Sequence, residues 1–240
     1  MNNDEGPRAP DLEWLDDGVP RASAFQDTYF SRAGGLEETR HVFLKGNGLP
    51  ERWQDRHSFA IAEFGFGTGL NFLTTLQALK EAECRFHLTF VSFELYPMTA
   101  AQLEKALGAF PELTDEARAL IDQWSPEPGW NRLSFDGSEL VLGVGDARRL
   151  IKDLCQGRES VPPIDAWFLD GFSPSKNPEL WGGDLLSAAY QLTARGGTLA
   201  TYTAAGWVRR NLQAAGFEIE KQKGFAGKRE MVVGAKTSGT

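Results

Sequence analysis

From Phe59 onward, apolar residues along this 240-residue chain fall into two alternating rhythms. Short apolar runs of strand type are followed by stretches with apolar positions three and four apart, of helix type. The run Phe59-Ala60-Ile61-Ala62-Glu63 predicts a strand over 59–63, and the periodic stretch after it predicts a helix over about 70–80. A second pair is expected at about 86–93 and 98–107, with a further helix over about 113–123. Leu133-Ser134-Phe135 and Leu140-Val141-Leu142 flank Asp136-Gly137, the pattern of a hairpin turn. A helix follows Gly145-Asp146-Ala147 as far as Leu154. Strand 165–169, a Pro-rich loop, a helix over about 183–194 and strand 198–202 come next, then a helix over about 205–214 and strands over 217–222 and 229–234. Strands alternating with helices imply a mostly parallel sheet with helices on both faces. Before Phe59 the rhythm is lost. Residues 1–20, with Gly6-Pro7 and Pro10 among acids, read as loosely ordered, and 21–57 as segments packed on the core. The expected organisation is an N-terminal extension over 1–57 and one functional domain over 58–240.

Composition narrows the class. A chain of this length buries roughly 70–75% of its unfolded surface. It has no run of eighteen apolar residues and no basic-then-apolar leader at Met1 to Asp17, so neither a membrane span nor a signal peptide is expected. Cys84 and Cys155, and His41, His57 and His87, are scattered without metal or redox spacing, as in a reduced, cytoplasmic protein with no metal. The net charge is −8, but residues 195–240 hold eight Lys or Arg and three acids, a local +5 that leaves −13 on the rest. That basic stretch, with Arg209, Arg210, Lys228 and Arg229, is either a phosphate-binding face or a set of solvated edges.

The chemistry concentrates where the first strand meets the first helix, at Glu63-Phe64-Gly65-Phe66-Gly67-Thr68-Gly69. A glycine turn at that junction is how an α/β sheet makes a cofactor site beyond the carboxyl end of a strand. Dinucleotide sites space their glycines G-x-G-x-x-G; counted from Gly65, the third would fall at position 70, which is Leu70. The spacing found here resembles the E-x-G-x-G-x-G motif of class I S-adenosylmethionine (SAM) methyltransferases, in which a bulky sulfonium cofactor lies against bare backbone. On that reading Glu63, Gly65, Phe66, Gly67, Thr68, Gly69 and Asn71 are the first cofactor candidates. Glu94 ends the second strand, where a carboxylate matches a ribose diol. Asp146, followed by Ala147, stands where an adenine amine is gripped, or serves as a helix N-cap.

Asp170 ends the strand 165–169 and precedes a loop, not a helix, so capping does not explain it. An acid in this place, followed by prolines and an aromatic, is common in amine methyltransferases. A fixed anion stabilises positive charge that moves from sulfur to nitrogen, and it can take up a proton. Phe172 and Trp181 are either stacking surfaces for a base or core aromatics, and Lys176 either meets a phosphate or is solvated.

Taken together, the residues resemble the methyltransferase domain of the bacterial tRNA-modifying MnmC family over about residues 12–235. The matching stretches are Phe25 to Ser31, Gly35 to Leu44, Gly65 to Leu73, Ser92-Phe93-Glu94, Asp165 to Trp181, Gly196 to Thr201, Lys223-Gly224-Phe225 and Lys228 to Met231. Of these, Asp165 to Trp181 is the most specific. The resemblance implies a Rossmann-like class I fold with a mostly parallel seven-stranded sheet, carrying an N-terminal extension and a β-hairpin insertion. It implies SAM-dependent methylation of 5-aminomethyl-2-thiouridine at the wobble position of the tRNA anticodon, with Asp170 as the catalytic carboxylate. Tyr29, Phe172, Lys176, Asn177, Trp181, Arg209, Arg210, Lys228 and Arg229 are the acceptor-side candidates. Family members are often fused to an FAD-dependent oxidoreductase, so a fused or separate partner of that kind is expected. A small-molecule amine methyltransferase and a non-catalytic SAM-fold scaffold that binds RNA or a partner remain open on the residues alone.

Overall fold

The computed structural model describes residues 8–31, 34–227 and 230–237. Three short antiparallel strands come first: β1 (Leu12–Trp14), β2 (Pro20–Ala22) and β3 (Asp27–Thr28). The turn α1 (Gly35–Glu38) runs into a wider helical turn over Thr39–Leu44. The alternating pattern then appears as expected: β4 (Ser58–Phe64), α2 (Leu70–Glu81), β5 (His87–Glu94), α3 (Ala100–Leu107) and α4 (Thr114–Ile121). It continues with β6 (Gly129–Phe135), β7 (Ser138–Val144), α5 (Ala147–Cys155), β8 (Ile164–Phe168) and α6 (Gly183–Leu192). It ends with β9 (Thr193–Thr201), α7 (Gly206–Ala215), β10 (Glu218–Lys223) and β11 (Glu230–Ala235).

The main sheet has eight strands in the order β10-β11-β9-β8-β4-β5-β7-β6. Pairs β4–β5, β4–β8, β5–β7 and β8–β9 are parallel, and β6, β10 and β11 join antiparallel. The order reverses at β4, with β5 on one side and β8 on the other. A crevice therefore opens beyond the carboxyl ends of those strands. The seven-strand expectation needs correcting. The hairpin around Gly137 is not an appendage: β7 is itself the third parallel strand, registered Leu88↔Ser138 on β5, and β6 adds an eighth at the edge. Alternation cannot separate these cases, because an edge hairpin and a core strand present the same period of two. Residues 12–14, expected to be loosely ordered, pair with 20–22; residues 1–7 lie outside the described residues.

Each face of the sheet has its own core. Phe59 and Ile61 point to one side, packing with Phe72, Leu73, Phe90 and Phe168. Ala60, Ala62 and Phe64 point to the other, toward Trp167 and the helices α5 to α7. The N-terminal segment belongs to the first core: Phe43, Leu44 and Trp53 are buried there, and the Phe43 ring stacks on Phe168 at 5.4 Å. Asn47 fastens the same segment to β8, its Nδ2 donating to the Trp167 carbonyl at 3.2 Å. Truncating a buried phenylalanine costs about 3–5 kcal/mol. Phe43→Ala is therefore expected to lower the unfolding free energy by about that amount in urea titration. A loss under about 1 kcal/mol would show that the segment is not integral to the core.

Candidate active site

The site starts from the backbone after β4. Gly65, Gly67 and Gly69 all have positive φ, at 83°, 57° and 75°. A Cβ at Gly65 would stand 3.3 Å from the Gly171 Cα, and one at Gly67 would stand 3.1 Å from the Tyr29 ring. Both the conformation and the close approach therefore require glycine. The Phe93 carbonyl accepts the N–H groups of Gly65 (3.0 Å) and Phe66 (3.1 Å), which fixes the loop to β5. Phe66 turns its ring into the core, flat on Trp124 at 5.2 Å, and so sets which way the loop backbone faces.

That backbone is one wall of a cavity of about 810 Å³. The ends of β5 and β7 form a second wall, and the loop 170–180 a third. The segment around β3 and α1 closes the fourth side. Asp27, Glu38, Glu94, Asp146, Asp170 and Glu179 line it, against Arg148 and Lys176 as the only bases among the described lining residues.

The strand-end acids occupy different environments. Glu94 accepts the Gly67 N–H at 2.8 Å and the Tyr96 N–H at 2.9 Å. Burial still raises its proton affinity above that of an ordinary carboxylate. Asp146 is the N-cap of α5, accepting the Arg148 N–H at 2.9 Å, and its carboxylate also holds the Arg148 guanidinium at 2.6 Å. These hydrogen bonds depress its pKa. Arg148 reaches on to Glu179 at 2.9 Å, linking α5 to the far side of the cavity. Asp170 lies on the wall, with Oδ2 accepting from Asn71 Nδ2 at 2.9 Å. Glu63 does not line the cavity. It is fully buried behind it, where Oε2 accepts from Asn71 Nδ2 at 3.0 Å and Oε1 from Ser92 Oγ at 2.8 Å.

The loop after Asp170 is tied to the N-terminal segment. Asp27 accepts the Ser173 N–H at 2.9 Å and pairs with Lys176 at 3.2 Å, while Lys176 also donates to the Gln26 carbonyl. Lys176, with its side chain 39% exposed, is thus a partly solvated tether to the N-terminal segment. Phe172 stacks on Phe25 at 4.6 Å and meets Tyr29 edge-on at 5.2 Å, so one face of its ring is already covered. Asn177 is on the cavity wall. Trp181 is not: it is buried, edge-on to Tyr202, with Nε1 donating to the Phe172 carbonyl at 3.1 Å. It is therefore a core aromatic and offers no surface to a base. Arg209 and Arg210 stand on α7 away from the cavity, and Lys228 and Arg229 lie outside the described residues. Tyr202, whose hydroxyl donates to the Gly171 carbonyl at 2.9 Å, escaped the sequence reading, as did Phe25, Asp27 and Thr39. Only the match of whole stretches around Phe25 and Thr39 pointed their way. Burial pushes the Tyr29 and Tyr202 hydroxyls far above the usual phenol range, so both stay neutral.

Residues 111–237 match the family model described as "S-adenosyl-L-methionine-dependent methyltransferase". The chain belongs to the S-adenosyl-L-methionine-dependent methyltransferases. The bifunctional protein MnmC of tRNA 5-methylaminomethyl-2-thiouridine biosynthesis from Aeromonas salmonicida is 46% identical over 234 residues, 93% of this chain and 35% of the relative. The corresponding protein of Aromatoleum aromaticum is 48% identical over 227 residues, again 93% and 35%. The chain thus spans about a third of the length of the curated relatives it matches. The crystal structure of MNMC2 from Aquifex aeolicus superimposes with a TM-score of 0.76 at 26% identity, covering 99% of this chain and 73% of that one.

The methyltransferase cavity suits its cofactor. Six acids against two paired bases favour a sulfonium cation, and the bare glycine backbone leaves it room. No side chain caps the first turn of α2, behind Gly69, and the positive end of the helix favours a carboxylate. Beneath this cavity Glu63 holds its proton well above the ordinary carboxylate range because it is buried, despite the opposing hydrogen bonds from Ser92 and Asn71. The native chain therefore binds that proton more tightly than the unfolded one. The resulting stability is complete below about pH 4.3, the unfolded value, and is lost as pH rises through the native one. Glu63→Gln removes this dependence, so its stability relative to wild type is expected to improve between about pH 5 and pH 9 in urea denaturation. A constant difference across that range would show that Glu63 takes up no proton on folding.

Proposed function

We propose that this methyltransferase transfers the methyl group of SAM to the aminomethyl nitrogen of 5-aminomethyl-2-thiouridine at the tRNA wobble position, giving 5-methylaminomethyl-2-thiouridine. The observation that carries the reading is Asp170, an anchored carboxylate at the end of β8 on the wall of an acid-lined cavity. The relatives named for tRNA 5-methylaminomethyl-2-thiouridine biosynthesis supply the acceptor class. When bound, SAM supplies an electrophilic methyl group on a sulfonium. Glu94 is the acceptor for its ribose hydroxyls, the Gly65–Gly69 backbone its bed, and Asp146 with Ala147 the adenine end of the site. Asp170 accepts a hydrogen bond from the acceptor amine and aims the nitrogen lone pair. It stabilises the positive charge arriving on nitrogen, and the proton the amine sheds passes to its carboxylate or through it to water. The surrounding acids favour the unreactive ammonium, while enclosure by Phe25, Tyr29 and Phe172 favours the neutral amine.

The same acids repel phosphate, so only the aminomethyl base enters and the tRNA backbone stays outside. Tyr29, Asn177 and the open face of Phe172 are the contacts for that base. Arg209, Arg210, Lys228 and Arg229 are candidates for phosphate contacts. In this reading residues 58–240 are the catalytic domain and 1–57 an extension that supplies one wall. The partner is an FAD-dependent oxidoreductase, fused or separate, that makes the aminomethyl group. The place of work is the cytoplasm; no helix among the described residues is long and apolar enough to cross a membrane.

Transfer from labelled SAM to tRNA lacking only this methyl group, followed by nucleoside analysis, tests the assignment. Asp170→Asn is expected to keep SAM affinity and lower turnover by about 10² or more. Undiminished turnover would remove Asp170 from the reaction. For wild type, the affinity for tRNA is expected to fall steeply with salt, as phosphate contacts require. Salt-independent affinity would favour a small-molecule amine as acceptor.

A further inference from the structure

We propose that Asn71 is a positioning residue for Asp170, not a cofactor ligand, and that Thr39 and Glu63 hold it in that role. The proposal rests on the reading of Asp170 given above and adds to it how the carboxylate is aimed. Asn71 occupies the second position of α2 and is 7% exposed. Its amide has two N–H bonds and one carbonyl oxygen to satisfy. Nδ2 donates to Glu63 Oε2 at 3.0 Å and to Asp170 Oδ2 at 2.9 Å, and Oδ1 accepts from Thr39 Oγ1 at 2.9 Å. Both N–H bonds and the carbonyl oxygen are engaged, so the side chain cannot turn toward a ligand without breaking this network. A rotated amide would put Oδ1 against the two carboxyl groups.

The anchors are firm. Thr39 and Glu63 are 3% and 0% exposed, and Ser92 fixes the second oxygen of Glu63 at 2.8 Å. The chain Ser92–Glu63–Asn71–Asp170 therefore runs from the middle of the sheet to the cavity wall through hydrogen bonds alone. Burial raises the proton affinity of Glu63, against the opposing hydrogen bonds from Ser92 and Asn71. Holding Oδ2 of Asp170 restricts the rotation of its carboxylate. A donor on Oδ2 also favours the charged carboxylate. Other ionisable groups face this point. Glu63 on β4 and Tyr202 after β9 are close enough to feel the Asp170 charge, and Asp27 on β3, Glu38 on α1, Glu94 on β5 and Lys176 line the same cavity.

The test compares Asn71→Ser, Thr39→Val, Thr39→Ser, Asp170→Asn and the double variant Asn71→Ser/Asp170→Asn in the labelled methyl-transfer assay. SAM affinity is measured alongside by calorimetry. For Asn71→Ser we expect kcat to fall about 30-fold or more, since small misplacements of reacting groups cost that much. SAM Kd should stay within about threefold, and the acid limb of the pH–rate profile should move to higher pH. Thr39→Val should lower kcat about fivefold, and Thr39→Ser, which restores the hydroxyl, should recover it. In the Asp170→Asn background, Asn71→Ser should add less than about threefold, because coupled residues are not additive. A SAM Kd that rises in step with the loss of kcat/KM would make Asn71 a cofactor ligand and overturn the proposal. Fully additive losses in the double variant, or an unmoved pH profile, would also overturn it. If Asn71→Ser does not fold, the Thr39→Val and Thr39→Ser pair decides alone, with equal kcat in the two counting against the proposal. Full activity in Asp170→Asn would defeat the underlying reading of Asp170, an outcome distinct from any behaviour of Asn71.

Discussion

Two carboxyl groups, Glu63 and Asp170, stand at the ends of the neighbouring parallel strands β4 and β8 and share the two N–H bonds of one amide, Asn71. Bringing two carboxyl groups so close away from water is costly unless one of them keeps its proton and both are hydrogen-bonded. Burial raises the proton affinity of Glu63 well above that of an ordinary carboxylate. The consequence spreads outward. Asn71 must occupy the first turn of α2, so the glycine loop before it must turn within five residues, and only a left-handed backbone at Gly65, Gly67 and Gly69 does so. The same tight turn brings Gly65 against Gly171 and joins the cofactor side of the cavity to the acceptor side.

The N-terminal segment takes part in this arrangement. Thr39 orients Asn71, Asp27 holds the loop after Asp170 through Ser173 and Lys176, and Phe25 covers one face of Phe172. Its attachment is apolar below and polar above: Phe43 and Trp53 fix it to the sheet, and Asp27 and Thr39 reach the site. A wall supplied by a segment early in the chain lets the acceptor pocket be closed without lengthening the loops between strands.

Charge divides the labour. The cavity is acidic and suits a sulfonium and an amine, both cationic or becoming so. Residues 195–240 carry eight Lys or Arg against three acids, and of these Arg209 and Arg210 stand on α7 outside the cavity lining; under the proposed function a polyanionic acceptor meets basic residues of this kind. Under the proposed function, electrostatics separate the chemistry on the base from the grip on the backbone.

The alternation of apolar runs and periodic stretches by itself determined the parallel sheet, the place of the helices α2 to α7 and the glycine turn at the strand–helix junction, but not the helical turns over 35–44. It did so because those features depend on residues near one another in the chain. It also placed Glu94, Asp146 and Asp170 at strand ends. It did not determine which acids face the cavity, since a strand end looks the same whether its side chain points to the ligand or into the core. Tertiary packing decided that Glu63 and Trp181 turn inward, that Lys176 is held by Asp27, and that Asp146 caps a helix and holds Arg148. It also decided that β7 sits within the sheet, because register on β5 is a contact between distant residues. The Asn71 bridge is of the same kind. Its partners lie 8, 32 and 99 residues away, and no local pattern records a hydrogen bond that forms only when three elements converge.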